Sequence, residues 1–349
     1  MAEVQAEQAI VNTENVAQEV LSHIERERER EIIARRFGLF DRKETLEQIG
    51  ELLNITRERV RQLEKSVLAR LQASAEAGEL PHIAAVEESL VAELDTLGTV
   101  ARICDLSARI TAENTRTDQS RVAFLAKLSP KLIVIEDNDD YYQAVSLLQI
   151  RDEKHVKAAV SALVAAIKKA GEPASIEGVA KTVGGDSAET QALASISKNL
   201  ATLNGRWGLV KWSMVNPKNI RDKIYVILKE HGKHMHFNEI AGAIKDSDFK
   251  RKDVTTQAIH NELIKDKRFV LIGRGIYALK EWGYQKGTVA DIITEVLREA
   301  GEPLHRDEIV KRVLKSRFVK ETTILLNLQG KSQFKRVAKA TYDLAEAEN

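Results

Sequence analysis

Cysteine, proline and aromatic residues are all scarce in this sequence. The single cysteine, Cys104, excludes an internal disulfide framework and indicates a reducing compartment. No segment approaches 18 consecutive apolar residues, and no basic N-terminal start precedes an apolar run, so we expect neither a membrane span nor a signal peptide. Only 5 prolines interrupt the 349 residues, and aromatic residues make up 5% of them. We therefore expect a cytoplasmic, mostly α-helical protein of two or more domains.

The net charge of +1 hides an uneven distribution of charge along the chain. Residues 1–80 carry 12 basic and 16 acidic side chains, and residues 81–154 carry 8 and 13. By contrast, residues 215–286 carry 15 basic and 9 acidic side chains, a net +6. Because phosphates respond to local charge, a basic segment inside a neutral chain is compatible with nucleic acid binding.

Residues 45–72 have the pattern of two amphipathic helices joined by a tight turn. The residues expected to face inward on the first helix are Leu46, Ile49, Leu52 and Leu53. Those that form one apolar stripe on the second helix are Val60, Leu63, Val67 and Leu71. Thr56 is placed to cap the second helix. The spacing predicts a helix-turn-helix.

The opposite face of the second helix is polar, and residues 57–70 carry a net +3. In the major groove, arginine can grip guanine with two hydrogen bonds, glutamine can do the same for adenine, and glutamate can accept from cytosine. The side chains on this face are Arg57, Glu58, Arg61, Gln62 and Lys65. The pattern is compatible with base recognition and also with an ordinary solvated helix face.

A long motif around these helices resembles region 4 of primary sigma factors. The resemblance covers residues 26–71 and lies in RFGL (36–39), TLEQIG (45–50) and TRERVRQLE (56–64). In that family the region binds the promoter −35 element and the flap of the RNA polymerase β subunit. The resemblance implies that bases are faced by Arg57, Glu58, Arg61 and Gln62. It implies that phosphates are contacted, or the site flanked, by Arg28, Thr45, Leu46, Arg59 and Lys65.

The same family places a −10-binding domain upstream of region 4. About 25 residues precede the motif here, too few for that domain. The first 36 residues also contain no aromatic side chain on which unstacked bases could be held. We therefore expect the protein to bind duplex DNA and to need another factor for promoter melting.

Beyond residue 85 the sequence contains a degenerate repeat. Residues 167–183, 228–244 and 297–313 each indicate a helix, a glycine-containing turn and a second helix, followed by a third helix and a hairpin. Trp212, Tyr277 and Tyr342 lie 65 residues apart in the hairpins. A weaker copy spans 86–148. This outline predicts winged helices, and three-helix units without a wing are the alternative.

Residues 219–284 are similar to HARE-type helix-turn-helix domains, a winged fold found in the RNA polymerase δ subunit and in chromatin and restriction proteins. The similarity lies in FNEIA (237–241), VTTQAIHNELIKD (254–266) and the closing GRGIYAL (273–279). The basic residues Lys250, Arg251 and Lys252 precede the third predicted helix. They are candidate secondary DNA contacts, and a solvated charge run is the alternative.

No pattern indicates catalysis or a cofactor. His231, His234 and His236, with Glu239 nearby, fall at a turn without the four suitable ligands of a structural zinc site, so we expect no metal. A phosphate-binding loop, a catalytic triad order and a pair of catalytic carboxylates are all missing from the sequence. We expect a protein that is not an enzyme.

The sequence as a whole predicts a mostly α fold, in which the sigma region 4-like helix-turn-helix is followed by three or four tandem winged-helix units with short β-hairpin wings. The expected domains are 1–80, 81–152, 153–215, 216–286 and 287–349. The expected function is that of a DNA-binding transcription protein, with double-stranded DNA and core RNA polymerase as partners in the bacterial cytoplasm and nucleoid. One alternative is a polymerase adaptor that does not recognise DNA sequence, and another is the DNA-targeting subunit of a restriction or modification system.

Overall fold

The computed structural model describes residues 11–251 and 253–345 of the chain. It is mostly helical and divides into two compact units, Met1–Lys211 and Trp212–Asn349. The finer division into five domains stays a prediction. Among the described residues, no helix combines the length and the apolar character needed to cross a membrane.

The first unit opens with a helix-turn-helix preceded by two further helices. These elements are α1 (Thr13–Ser22), α2 (Glu27–Phe37), α3 (Leu46–Leu53) and α4 (Arg57–Glu76). Thr45 begins α3 through a capping box, in which its hydroxyl accepts from the Gln48 amide and the Gln48 side chain accepts from the Thr45 amide. The Thr56 hydroxyl caps α4 by accepting from the Arg59 amide at 3.2 Å, as predicted.

The turn between α3 and α4 lies close against α3. A Cβ at Gly50 would come within 2.7 Å of the Ile55 carbonyl oxygen, so a larger residue would push the turn away from the helix. Asn54, at the end of α3, has a left-handed backbone with φ 52°, which asparagine adopts more readily than most residues. These two positions fix the angle at which α4 leaves α3.

Two separate cores hold the helix-turn-helix. A small one joins α2, α3 and α4 through Ile32, Ile49 and Val60, each fully buried. On α3 the inward stripe contains Leu46 and Leu53 as well. The prediction that Leu52 also faces inward is wrong: this side chain is 50% exposed, because an eight-residue helix presents only one narrow stripe at 3–4 spacing.

The second core of this region continues into the chain that follows. Ile33 of α2 and the α4 residues Val67, Leu68 and Leu71 belong to one apolar cluster with residues from 80 to 147. The helix-turn-helix therefore packs against the segment that follows it, residues 80–147.

That segment contains the first of four repeats with the order helix, strand, helix, helix, strand, strand in the described part of the chain. The first comprises α5 (Pro81–Leu97), β1 (Val100–Arg102), α6 (Ile103–Ile110), α7 (Arg116–Leu128), β2 (Leu132–Ile135) and β3 (Ala144–Leu147). The second comprises α8 (Glu153–Ala170), β4 (Ala174–Ser175), α9 (Ile176–Val183), α10 (Ser187–Ser195), β5 (Leu200–Leu203) and β6 (Arg206–Leu209).

The other two repeats form the second unit. The third comprises α11 (Ile220–His231), β7 (Met235–His236), α12 (Phe237–Asp246), α13 (Thr256–Lys265), β8 (Phe269–Gly273) and β9 (Ile276–Leu279), followed by a short 3-10 helix (Lys280–Trp282). The fourth comprises α14 (Val289–Ala300), β10 (Leu304–His305), α15 (Arg306–Ser316), α16 (Glu321–Gly330), β11 (Phe334–Ala338) and β12 (Thr341–Leu344).

Each repeat closes with a small antiparallel sheet of three strands. In every case the last strand lies in the centre and pairs with both the short first strand and the second strand. An aromatic side chain of the central strand faces the first strand in three repeats: Trp207 opposite Ala174, Tyr277 opposite Met235 and Tyr342 opposite Leu304. The counterpart of the two tyrosines is thus Trp207. The equivalence predicted for Trp212 is wrong, because Trp212 follows the central strand.

The third helix of the first repeat, α7, packs against α5 and α6 of the same repeat and also against α1, α2 and α4. Arg121 of α7 is 8% exposed and hydrogen-bonds with residues that precede the first repeat. Its Nε donates to the Leu39 carbonyl at 2.7 Å, and its Nη2 pairs with Glu14 of α1 at 2.8 Å. The second core and this arginine together fix the helix-turn-helix relative to the first repeat.

Candidate nucleic-acid interface

The first two turns of α4 present a polar surface to solvent. Val60 is fully buried against Ile49, and Leu63 packs against the same core, which leaves the other face of the helix to solvent. The exposed side chains are Arg57, Glu58, Arg59, Arg61, Gln62 and Lys65. The structure therefore brings together every side chain of α4 that the sequence assigns to DNA binding.

Neighbouring charges on this surface are paired. Arg61 donates from Nε and Nη2 to the two carboxylate oxygens of Glu58 at 2.8 Å and 2.5 Å. These hydrogen bonds lower the pKa of Glu58 and raise the pKa of Arg61. Arg59 donates to the Gln62 side-chain oxygen at 3.4 Å. The pairing fixes side-chain directions on a surface that remains fully open to solvent.

Arg57 connects the two helices of the motif. Its Nη1 lies 3.0 Å from Oε1 of Glu47 on α3, and both side chains are about two-thirds exposed, at 66% and 63%. An exposed pair of this kind contributes little to stability and exchanges readily with water or a phosphate. Arg57 can therefore turn to a nucleic acid at low cost.

The flanking residues lie at the ends of α3. The Arg28 guanidinium donates to the carbonyl of Leu53, the last residue of α3. Thr45 is exposed at the start of α3, where it forms the capping box. Leu46 is half-buried in the small core, so the group it can offer a phosphate is its backbone amide in the first turn of the helix.

A buried lysine that the sequence analysis did not single out holds the basic loop of the third repeat. Lys223 of α11 is 5% exposed, and its ammonium donates to the carbonyl oxygens of Lys250 and Arg251 at 2.8 Å and 2.6 Å. Burial lowers the pKa of Lys223, and the Arg251 charge adds to the effect. The Lys250 and Arg251 side chains are exposed, and Lys252 lies outside the described residues. Helical periodicity gave Lys223 no special place, because its partners lie 27 and 28 residues further along.

The histidines of the third repeat are engaged in capping and ring packing. The His236 ring Nδ1 accepts from the Asn238 amide at 3.3 Å, and Glu239 accepts from the His236 amide at 2.7 Å, which forms a capping box for α12. The His234 ring lies 4.3 Å from the ring of Phe318. Across the described residues, no group of three histidine, cysteine, aspartate or glutamate side chains is arranged to hold a metal ion.

Comparison with known proteins supports the sigma-like motif. Residues 26–73 match the family described as "Sigma-70, region 4". Over 46 residues the chain is 52% identical to the RNA polymerase sigma factor SigA1 of Synechococcus elongatus, which is 13% of this chain and 12% of that protein. Over 48 residues it is 54% identical to the RNA polymerase sigma factor RpoD of Helicobacter pylori, which is 13% of this chain and 7% of that protein. The matches are thus confined to about an eighth of each chain or less, and the matched segment is the DNA-binding helix-turn-helix of a transcription protein family.

Proposed function

We propose that residues 45–65 bind double-stranded DNA in transcription, with the first two turns of α4 in the major groove. The observation that supports this most is the coincidence of the matched segment with an exposed, convergent set of polar side chains on α4. Bases are contacted by Arg57, Glu58, Arg61 and Gln62. The sugar-phosphate backbone is contacted by Arg28, Thr45, Arg59, Lys65 and the amide of Leu46. The protein acts by binding and is not an enzyme.

Core RNA polymerase is the second partner in this proposal. The similar proteins are named RNA polymerase sigma factors, and the matched segments are 52% and 54% identical to theirs. The chain then acts as a sigma-like factor or as a polymerase accessory protein.

The four repeats are winged helices in this proposal. Their element order and the central position of the last strand support that fold. The third repeat is then the HARE-type domain. Its loop presents the side chains of Lys250 and Arg251 to a phosphate backbone, and the Lys223 ammonium donates to the backbone carbonyls of both residues.

The test compares binding of the full chain to a duplex with a promoter −35 element and to a shuffled duplex of the same length. Arg57→Ala and Arg61→Ala should weaken binding to the −35 duplex by roughly tenfold and reduce the preference for it. Arg116→Ala is the matched control, because Arg116 is an exposed arginine at the start of α7. Equal losses on both duplexes would assign the two arginines to phosphates, and unchanged binding on both would refute the proposal.

Exposed apolar side chains near the motif favour a second candidate function, a polymerase adaptor that does not recognise DNA sequence. Leu52 of α3 is 50% exposed, and Phe40, just after α2, is 44% exposed. Such residues suit a protein contact better than a phosphate backbone. Capture of core RNA polymerase that is lost in Leu52→Ser, together with the same affinity for both duplexes, would establish the adaptor in place of the DNA reader.

A further inference from the structure

The third helices of the four repeats differ in what covers them. Residues 121–126 of α7 are all buried, because α1, α2 and α4 pack on that helix in addition to α5 and α6 of its own repeat. In the second repeat, α10 packs against α5 and β1 of the first. A Cβ at Gly98 would come within 2.7 Å of the Ala188 carbonyl, which shows how closely α10 approaches. Neither α7 nor α10 can enter a DNA groove unless the helices and strands packed on it in the first unit separate from it.

The third helix of the fourth repeat, α16, has an open outer face. Ile324 and Leu328 are buried in the core of the repeat, whereas Thr322, Leu326 and Gln329 face solvent. Leu326 is 69% exposed, the largest exposed fraction among the large apolar side chains of the described residues. Hydroxyl, amide and aliphatic groups of this kind suit base edges and thymine methyl groups in the major groove.

Charge in the fourth repeat is concentrated around α16. Residues 315–340 carry seven basic side chains and one acidic side chain, a net +6, whereas residues 287–314 carry four and six, a net −2. Arg317 belongs to the fold: its Nη1 donates to the Leu271 carbonyl of the third repeat at 2.7 Å. The other six are all exposed: Lys315, Lys320, Lys331, Lys335, Arg336 and Lys339.

These cations lie at both ends of α16 and along the neighbouring hairpin. Lys320 is the N-cap and Lys331 the C-cap of this ten-residue helix, which is about 15 Å long. Arg336 lies in β11, an edge strand of the sheet, and Lys339 lies in the turn to β12. The separation of the cations at the two ends of α16 is comparable with the roughly 12 Å width of the major groove, which has phosphates along both sides.

We propose that α16 and the β11–β12 hairpin form a second binding surface for double-stranded DNA, separate from the helix-turn-helix of residues 45–65. The cations of this surface bind phosphates on both sides of the groove, and the neutral face of α16 enters it. Lysines on an edge strand also discourage strand pairing between proteins, a role that requires no ligand. Both roles require positive charge, and only DNA binding requires it across this whole surface. The test therefore compares two variants that lose the same number of charges at different places in the repeat.

The test measures binding of the full chain to a 20-base-pair duplex of random sequence by fluorescence anisotropy over a series of KCl concentrations. The surface variant combines Lys320→Gln, Lys331→Gln, Arg336→Gln and Lys339→Gln. The control variant combines Arg298→Gln, Arg306→Gln, Lys311→Gln and Arg312→Gln. The control also removes four exposed cations from the same repeat, but from α14 and α15.

The slope of log K against log salt should become shallower by about 2–4 in the surface variant, since each phosphate contact contributes about 0.9. The control should keep the slope of the wild type. Thermal unfolding followed by circular dichroism verifies that both variants fold. A surface variant with the wild-type slope, or equal changes in both variants, would overturn the proposal.

The outcome is independent of the helix-turn-helix. If Arg57→Ala and Arg61→Ala leave DNA binding unchanged while the surface variant loses it, the function proposed for residues 45–65 fails and the second surface stands. The opposite result refutes the second surface alone.

Discussion

Glu58 and Arg61 are joined by two hydrogen bonds across one turn of α4, on the surface proposed to enter DNA. While no DNA is bound, each side chain satisfies the other. A base that binds either one must first replace this partner. If the proposed complex forms, we expect discrimination at this position to depend on the exchange of this ion pair for contacts with a base edge, because a wrong base does not make those contacts.

Replacing Glu58 with glutamine tests this exchange. Glu58→Gln releases Arg61 and removes a carboxylate that repels phosphates, so affinity for a random duplex should rise by a few-fold while preference for the −35 element falls. Anisotropy titrations on both duplexes measure the two effects. Glu76→Gln, at the exposed far end of α4, is the control for loss of one negative charge. Equal behaviour of the two variants would show that the Glu58–Arg61 pair has no part in recognition.

The pH dependence of this effect follows from the lowered pKa of Glu58. Its ordinary value is 4.5, and the Arg61 hydrogen bonds move it lower. A carboxylate with a depressed pKa keeps its interaction above the ordinary value and loses it as the pH falls through the depressed one. The difference between wild type and Glu58→Gln should thus stay constant from about pH 8 to about pH 5. Titrations at several pH values in this range check the result, and a difference that changes within it would contradict the assignment.

The hydrogen bonds of Arg121 should stabilise the packing of the helix-turn-helix on the first repeat. Arg121→Met keeps the length of the side chain but leaves the Leu39 carbonyl and Glu14 without their buried partner. The free energy of unfolding of residues 1–211 should fall by about 2 kcal/mol, the usual scale for buried hydrogen bonds to a charged group. Urea unfolding followed by circular dichroism measures the change. Arg116→Met, an exposed arginine five positions earlier on α7, should be close to neutral, and an equal loss in both variants would exclude a specific role for Arg121.

Lys223 should control the loop that carries Lys250 and Arg251. Lys223→Met removes the donor to both loop carbonyls and should destabilise residues 212–349 by about 1–3 kcal/mol. Since burial lowers the pKa of Lys223 in the folded protein, the unfolded chain holds its proton more tightly. The wild type should therefore gain stability relative to Lys223→Met as the pH rises towards about 10, the ordinary lysine pKa. Urea titrations at pH 7 and at higher pH, with the exposed Lys233→Met as control, test the sign.

Local signals in the sequence were sufficient to predict the helix-turn-helix, but they did not predict the contacts that fix it to the first repeat. Thr56 as a cap and Val60 in the core follow from side-chain chemistry and helical spacing, and the structure shows both. By contrast, Arg121 contacts Leu39 and Glu14, which lie 82 and 107 residues away. Such partners are set by tertiary packing, which a periodic pattern does not encode.

The repeats show the same division between local and tertiary information. The hairpins were visible from the aromatic residues near their ends, but the equal spacing of Trp212 with Tyr277 and Tyr342 was a coincidence. Strand pairing selects Trp207, because of the two tryptophans only this one lies opposite a residue of the short first strand. The covering of α7 and α10 likewise depends on how the repeats stack within the first unit. The sequence therefore indicated several similar units without revealing which of them keep an exposed third helix.

The packing of α10 on the first repeat leads to a last prediction, tested by two glycines that each end a helix. Gly98 ends α5 with φ +94° and Gly184 ends α9 with φ +73°. Alanine at either position must adopt a left-handed backbone, which costs about 1–2 kcal/mol of stability. Only at Gly98 would the added Cβ also collide with a neighbour, since the Ala188 carbonyl oxygen lies 2.7 Å away and the Ala192 Cβ 3.1 Å away. No heavy atom lies within 4 Å of the corresponding position at Gly184. Gly98→Ala should therefore cost about 1–3 kcal/mol more than Gly184→Ala, the usual range for overpacking, because α10 must move away from α5 and β1. Urea unfolding of residues 1–211 gives both values under the same conditions. Equal costs would show that α10 moves without strain, and would contradict a tight packing of α10 on the first repeat.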